Sequence, residues 1–185
     1  MATPFEALRV DPVSVRKSMA WYQTQIKKLQ GLQTGVIRSL RKGDDYIVPG
    51  GLYLFRYDPK HKDKLPYYDS MPLVLPFKSV KGGFLGINLH YLPYGLRFKL
   101  MGSLMTLVRD ISDPQSRAQV SWNILNNSTR FPGVEACVKH YLKDHVRSQF
   151  MNIPNDQWIA ASQMPLEQFN APKSKVYSDS RRNMP

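Results

Sequence analysis

Residues 52–92 read LYLFRYDPKHKDKLPYYDSMPLVLPFKSVKGGFLGINLHYL, and this stretch decides the fold. In LYLFRY, leucines alternate with aromatic residues, which is the period of two that side chains follow along a strand. LVLPF at 73–77 and GFLGINLHYL at 83–92 have the same strand character, and Gly82-Gly83 predicts a tight turn between them. The stretch therefore predicts three short antiparallel strands.

Two prolines restrict the second of these strands. Pro72 and Pro76 have no N–H group to donate to a neighbouring strand. Proline is therefore confined to edge strands, strand starts and bulges. The second strand is predicted to lie at an edge of the sheet or to carry a bulge.

On the N-terminal side, residues 1–45 are predicted to form a helical segment. Apolar residues recur at alternating spacings of four and three from Val15 to Leu29, which is one stripe along a helix. Four basic residues lie off that stripe and predict a basic face that binds a partner: Arg16, Lys17, Lys27 and Lys28.

On the C-terminal side, a helical insertion is predicted at about 94–145. YGLRFKLMGSLMTLVRDIS has two apolar stripes and predicts a largely buried helix, and PGVEACVKHYLKDH at 132–145 predicts the last helix of the insertion. After it, VRSQFMNIP, NDQWIAASQ and MPLEQF predict a strand, one helical turn and a closing strand.

Together these elements predict an α+β fold. We expect a small SH3-like antiparallel β-barrel over residues 46–172, with an N-terminal helix and a helical insertion after the third strand. Residues 173–185, KSKVYSDSRRNMP, lack periodicity and predict an extended basic C-terminal arm that orders on a partner and is not needed for the fold.

The charge of the chain indicates its kind of partner. Lys and Arg number 26 against 14 Asp and Glu, a net charge of +12, and the excess lies in the first hundred residues and the last thirteen. Such an excess favours polyanions or acidic proteins as partners, although a charged surface that only keeps the protein soluble is the alternative. The predicted contacts to nucleic acid or an acidic partner are Lys60, Lys62, Lys64, Lys78, Lys81, Arg181 and Arg182.

The sequence offers little support for catalysis. It has no phosphate-binding glycine loop, no nucleophile elbow and no HExxH motif, and its single cysteine excludes a cysteine-built zinc site. We therefore predict no enzymatic activity, no metal and no cofactor. The nearest to a nuclease-like set of acids is Asp58, His61, Asp63 and Asp69, which more simply forms a solvated turn with local ion pairs.

Two further features have both a structural and a functional interpretation. His90 is either a proton shuttle or a ring bonded to a buried carbonyl or to Tyr67 or Tyr68. The rings of LPYYDSMPLVLPF either stack bases or plug the ends of the barrel, and the sequence does not decide between them. No window approaches the roughly 20 apolar residues that cross a bilayer, so no membrane association is predicted.

Four segments together resemble a small virion protein of T-even-type tailed phages, of the DNA end protector kind. They are YDPKHKDKLPYYDSMPLVLPFK, GGFLGINLHYLPYGLRFKLM, NIPNDQWIAASQMPLEQF and VYSDSRR. A neck, tail or baseplate component of the same phages is the other family that they resemble. Neither resemblance supplies active-site residues.

The resemblance implies a non-enzymatic structural or assembly component of the virion, assembled in the host cytoplasm and present in multiple copies. Its implied partners are other virion proteins, with the packaged end of double-stranded DNA as an open alternative. A free, sequence-nonspecific nucleic-acid-binding protein is the second hypothesis, and a nuclease is its weaker form.

Overall fold

A five-stranded antiparallel sheet forms the centre of the computed structural model. The structure describes residues 18–28, 35, 43–108, 111–113, 116, 119–120, 122–124, 127 and 134–182. The strands are β1 Leu52–Leu54, β2 Leu73–Val80, β3 Gly83–Asn88, β4 Val138–Leu142 and β5 Met151–Ile153. Their order across the sheet is β4-β3-β2-β1-β5. The three strands predicted from residues 52–92 are therefore confirmed.

The turn and the bulge of the central hairpin are also as predicted. Gly82 has a φ of 77°, a conformation that side-chain-bearing residues rarely adopt, and it turns β2 into β3. The pairing of β2 with β3 shifts register between Pro76 and Lys78, so β2 is bulged. Because β2 lies between β3 and β1, the bulge accommodates the proline in a central strand.

The alternation in β1 separates two cores. Leu52 and Leu54 face a large aliphatic core, whereas Tyr53 and Phe55 face a smaller aromatic one. In the aromatic core the Phe55 ring meets the ring of Phe150 edge-on, with centroids 5.0 Å apart. Both faces of the sheet are therefore buried around β1, which is why all three residues of β1 are buried.

Four helices of the described fold have defined bounds. They are α1 Met19–Lys28, α2 Tyr94–Val108, α3 Trp158–Gln163 and α4 Lys173–Arg182. Met101 of α2, Trp158 of α3 and Val176 of α4 are all buried in the aliphatic core. α1 packs on α3, where Tyr22 and Ala160 are buried together. The helices thus cover the leucine face of the sheet.

The prediction of a helix at 132–145 is wrong. Residues Glu135–Cys137 form a single 3-10 turn, and Val138–Leu142 are β4, paired with β3 so that Tyr141 lies opposite Phe84. A short apolar run does not distinguish a strand from a helix, and here the free edge of β3 decides the outcome. The predicted insertion at about 94–145 is therefore helical in α2 but ends in a strand. The described residues between 116 and 127 are helical.

The prediction of an extended C-terminal arm is also wrong. Lys173–Arg182 are helix α4, with Val176 fully buried and Ser180 2% exposed. The helix begins after Pro172, whose carbonyl accepts the N–H groups of Lys175 and Val176. Tertiary contacts, described below, stabilise a segment whose sequence has few core-forming residues.

Two other expectations are corrected or remain open. MPLEQF does not form a closing strand, since only an isolated bridge joins Phe169 to Asp69. The combination of helices with an antiparallel sheet confirms the α+β class. The described sheet is open, so the SH3-like barrel is not confirmed. The basic N-terminal helix is described only from Met19, which leaves Arg16 and Lys17 outside the described residues.

Candidate nucleic-acid interface

Segment 143–147 contacts two segments that are far from it in sequence. The segment 143–147 follows β4, and its Lys143 N–H donates to the Gly82 carbonyl of the β2–β3 turn, at 2.9 Å. Its other side meets the segment after β1: the Asp58 N–H donates to the His145 carbonyl at 3.0 Å, and the Arg147 N–H to the Arg56 carbonyl at 2.8 Å. Segment 143–147 thus joins the hairpin turn to the start of the lysine-rich loop.

The exposed side chains of these segments are mostly cationic. We call this surface the basic end; its cations are Arg56, Lys60, Lys62, Lys64, Lys81, Lys143 and Arg147, and all are exposed. The same segments carry three acidic residues, Asp58, Asp63 and Asp144. The basic end therefore has a net positive charge, which attracts polyanions.

The ion pairs of the basic end are weak. Lys62 Nζ lies 3.1 Å from an Asp58 carboxylate oxygen, and Arg147 Nη2 lies 3.9 Å from the other. All three side chains are between 44% and 50% exposed, and solvent screens exposed pairs of this kind so that they contribute little to stability. The cations can therefore bind a phosphate in place of Asp58 with little loss of stabilisation.

The predicted contact residues are only partly brought together. Lys60, Lys62, Lys64 and Lys81 lie in the basic end, and the exposed Lys78 lies on the same hairpin as Lys81. Lys27 and Lys28 are exposed at the C-terminal end of α1, a helix that packs on α3. Arg182 is exposed on α4, and the side chain of Arg181 is outside the description.

The sequence alone does not single out three cations of the basic end: Arg56, Lys143 and Arg147. Arg56 was assigned only to a strand, and the other two lie more than 75 residues further along the chain. Lys143 and Arg147 come to lie beside the hairpin turn and the lysine-rich loop through the backbone hydrogen bonds of segment 143–147 to Gly82, Arg56 and Asp58. The basic composition of KDHVR at 143–147 was the one local signal.

The nuclease-like set of acids is split by the fold. Asp69 is buried, and one of its carboxylate oxygens lies 2.6 Å from Nδ1 of the fully buried His90. Its other oxygen accepts the N–H groups of Met71 and Gln168. His90 is therefore bonded to a carboxylate and not to Tyr67 or Tyr68, and its burial separates the ring from any substrate.

The aromatic residues of the lysine-rich passage mostly contribute to the core. The Tyr67 ring lies 5.9 Å from that of Tyr91 and 6.4 Å from that of Phe169, and Phe77 is buried in the aliphatic core. These contacts favour the structural interpretation over base stacking at these positions.

A second polar cluster, which we call the Arg97 cluster, fixes α4 to the rest of the fold. It consists of Tyr94, Arg97, Glu167, Lys173 and Tyr177. The buried Arg97 donates to the Tyr177 hydroxyl at 2.8 Å and lies 3.6 Å from Glu167, whose other carboxylate oxygen is 2.6 Å from Lys173 Nζ. Tyr94 donates its hydroxyl to that same oxygen at 2.8 Å. The cluster thus joins α2, the segment before α4 and α4 itself.

The charges around Glu167 predict loss of stability in acid. Burial alone would raise the pKa of Glu167, but nearby His90 and Arg97 and the hydrogen bond from Lys173 lower that pKa from 4.5 to about 2. A carboxylate with a depressed pKa stabilises the fold above its unfolded pKa, so this contribution should vanish as the pH falls from 4.5 to about 2.

Urea unfolding measured across this pH range checks the prediction, with Glu167→Gln as the comparison. The variant should be less stable at neutral pH and should lose less stability than the wild type on acidification. Some acid sensitivity should persist in the variant because contact with His90 lowers the pKa of Asp69 as well, against the effect of its burial. Parallel curves for the two proteins would contradict the assignment.

The described part of the chain contains no group of three or more His, Cys, Asp or Glu residues arranged to hold a metal ion. Among the helices that the structure describes, none is both long and apolar enough to span a bilayer.

A comparison with protein families identifies a relative for nearly the whole chain. The model of a family described as phage T4 terminal DNA protecting protein matches residues 8–183. This match agrees with the resemblance carried by the four segments quoted above. No curated protein and no solved structure matches the chain significantly.

Proposed function

The chain belongs to the family of the phage T4 terminal DNA protecting protein, and from this we propose that it is a non-enzymatic component of a tailed-phage virion that binds the end of the packaged double-stranded DNA. The observation that carries the proposal is that segment 143–147 joins the β2–β3 turn and the segment after β1 into one basic surface. Lysine and arginine side chains there would bind phosphates.

Phosphate binding fits the form of the basic end. Its cations are exposed and lie on loops and on a turn, and lysine and arginine side chains are flexible. Contacts to phosphates position a protein on DNA but do not read its sequence. Affinity should therefore depend on salt and not on sequence, as a protein that binds any DNA end requires.

Other virion proteins are proposed as the second class of partner, and the protein is proposed to be present in the particle in multiple copies. Lys27 and Lys28 on α1, and Lys175 and Arg182 on α4, are exposed cations on elements other than the basic end. Acidic surfaces of neighbouring subunits would complement them. The alternative, a free nucleic-acid-binding protein, would use the same basic end but would not be incorporated into particles.

A binding assay tests the proposal. Fluorescence anisotropy of a short labelled linear duplex should rise with protein at low salt, for any duplex sequence. Adding Mg²⁺ should leave the duplex intact on a denaturing gel. Absence of binding at low salt would contradict the proposed function, and cleavage of the duplex would contradict its non-enzymatic part.

A further inference from the structure

A groove opens beside the basic end. Its volume is about 240 Å³, and its walls are the segments 44–47 and 143–150, with Phe84 between them. The walls are held together by two hydrogen bonds between the backbones of Asp44 and Phe150, each 2.8 Å long, and by one from Gln149 Nε2 to Asp45 at 3.1 Å. The groove is therefore built into the fold and is continuous with the basic end through Lys143.

An exposed aromatic ring lines this groove. Tyr46 is 68% exposed, more than any other large hydrophobic side chain in the described ranges. A ring that solvent reaches on this scale can stack on a planar ligand without any rearrangement of the core. The other aromatic residues that line the groove, Phe84 and Phe150, are buried.

The charges of the groove select for a nucleobase over a phosphate. Asp44 and Asp45 both line it, and carboxylates repel phosphates but accept hydrogen bonds from the amino groups of bases. Lys143 lies on the opposite wall, beside the other cations of the basic end. A base in the groove would thus leave its own phosphate next to Lys143.

In duplex DNA, a base at a strand end is presented in this way more readily than an internal base. Inside a continuous duplex both faces of each base are covered by neighbours, and exposing one costs a few kcal/mol. At a terminus one face is already free and the last pair frays most readily. A stacking site next to a phosphate-binding surface therefore favours ends over continuous duplex.

We propose that the groove between segments 44–47 and 143–150 holds the terminal base of a DNA strand, stacked on Tyr46, with its phosphate on Lys143. This inference rests on the proposed function and deepens it, because it supplies a preference for ends that the basic end alone lacks. A groove that instead takes a side chain of a virion protein is an outcome that the test separates.

The test compares a linear duplex with a covalently closed circle of the same sequence, using the full chain. Tyr46→Ala should weaken binding to the linear duplex by about 5- to 150-fold, the range measured for loss of one base–aromatic stack. It should leave binding to the circle unchanged. Tyr46→Phe should behave as wild type, as should Val48→Ala, which changes an exposed side chain outside the groove.

A fluorescent base analogue gives a second readout. Wild-type protein should change the emission of 2-aminopurine at the last position of a strand, whereas the same analogue at an internal position should respond much less. Equal binding of wild type and Tyr46→Ala to linear duplex, or equal losses on linear and circular DNA, would overturn the groove inference while leaving the proposed DNA binding intact. Failure of the wild type to bind either DNA would overturn the proposed function itself.

Discussion

Replacing Lys60, Lys62, Lys64 and Lys143 together with glutamine should weaken binding to linear duplex DNA by about a thousandfold at low salt. These side chains are exposed, so the fold should not change. Each lysine bound to a phosphate releases about one counterion, and near about 0.1 M salt the release from four such contacts amounts to about three orders of magnitude in affinity. Anisotropy of a labelled duplex measures the loss.

A matched variant distinguishes the effect of where the lysines lie from the effect of the protein's net charge. Lys27, Lys28, Lys99 and Lys175 are also exposed lysines, on α1, α2 and α4. Replacing all four with glutamine removes the same charge and should weaken binding by less than about tenfold, because only the long-range field changes. If the two variants lost affinity equally, net charge and not the basic end would govern binding.

Arg97→Met should destabilise the fold by about 3–5 kcal/mol. Arg97 is fully buried, and its guanidinium donates to the carbonyls of His90 and Leu92 as well as to Tyr177. Its removal leaves Glu167 buried beside one fewer cation and leaves the carbonyls of His90, Leu92 and Ser162 without this donor. Removing one partner of a buried ion pair is costly on this scale because the other charge loses its compensation.

Urea unfolding checks the Arg97 prediction. Arg56→Met is the control, since that side chain is exposed and should change stability by less than about 0.5 kcal/mol. The double variant Arg97→Met with Glu167→Gln should recover part of the loss, because it no longer buries an unbalanced carboxylate. A change below about 1 kcal/mol in Arg97→Met would show that the Arg97 cluster does not hold α4 in place.

Local patterns were sufficient to predict the centre of this fold. The alternation of leucine and aromatic residues in β1, the Gly82 turn and the Pro76 bulge are all properties of neighbouring residues. The one-turn helix at Trp158–Gln163 was predicted for the same reason. Such signals are readable because backbone conformation at each of these positions follows from the residues there.

The elements that were predicted wrongly depend on distant partners. β4 is a strand because β3 offers it a free edge, although its spacing of Val138 and Tyr141 also suits a helix. α4 is a helix because Lys173 bonds to Glu167 and Tyr177 bonds to Arg97. The polar sequence KSKVYSDSRR does not indicate these contacts. Tertiary contacts override weak local preference in both cases.

The sequence indicates only part of the candidate interface. The lysines of residues 60–64 were found by composition, but Lys143 and Arg147 join them only through the backbone hydrogen bonds of segment 143–147. The groove was not foreseen, because its walls come from residues about a hundred positions apart. A surface assembled from distant segments leaves no spacing in the sequence to detect.

The salt dependence of binding to linear duplex DNA tests the central claim most directly. If four to seven cations of the basic end bind phosphates, the logarithm of affinity should fall against the logarithm of salt concentration with a slope of about −4 to −6. Replacing Lys60, Lys62, Lys64 and Lys143 should reduce that slope by about three to four, since each lysine releases about one counterion. A slope near zero, or a slope that these substitutions leave unchanged, would contradict binding of DNA phosphates by the basic end.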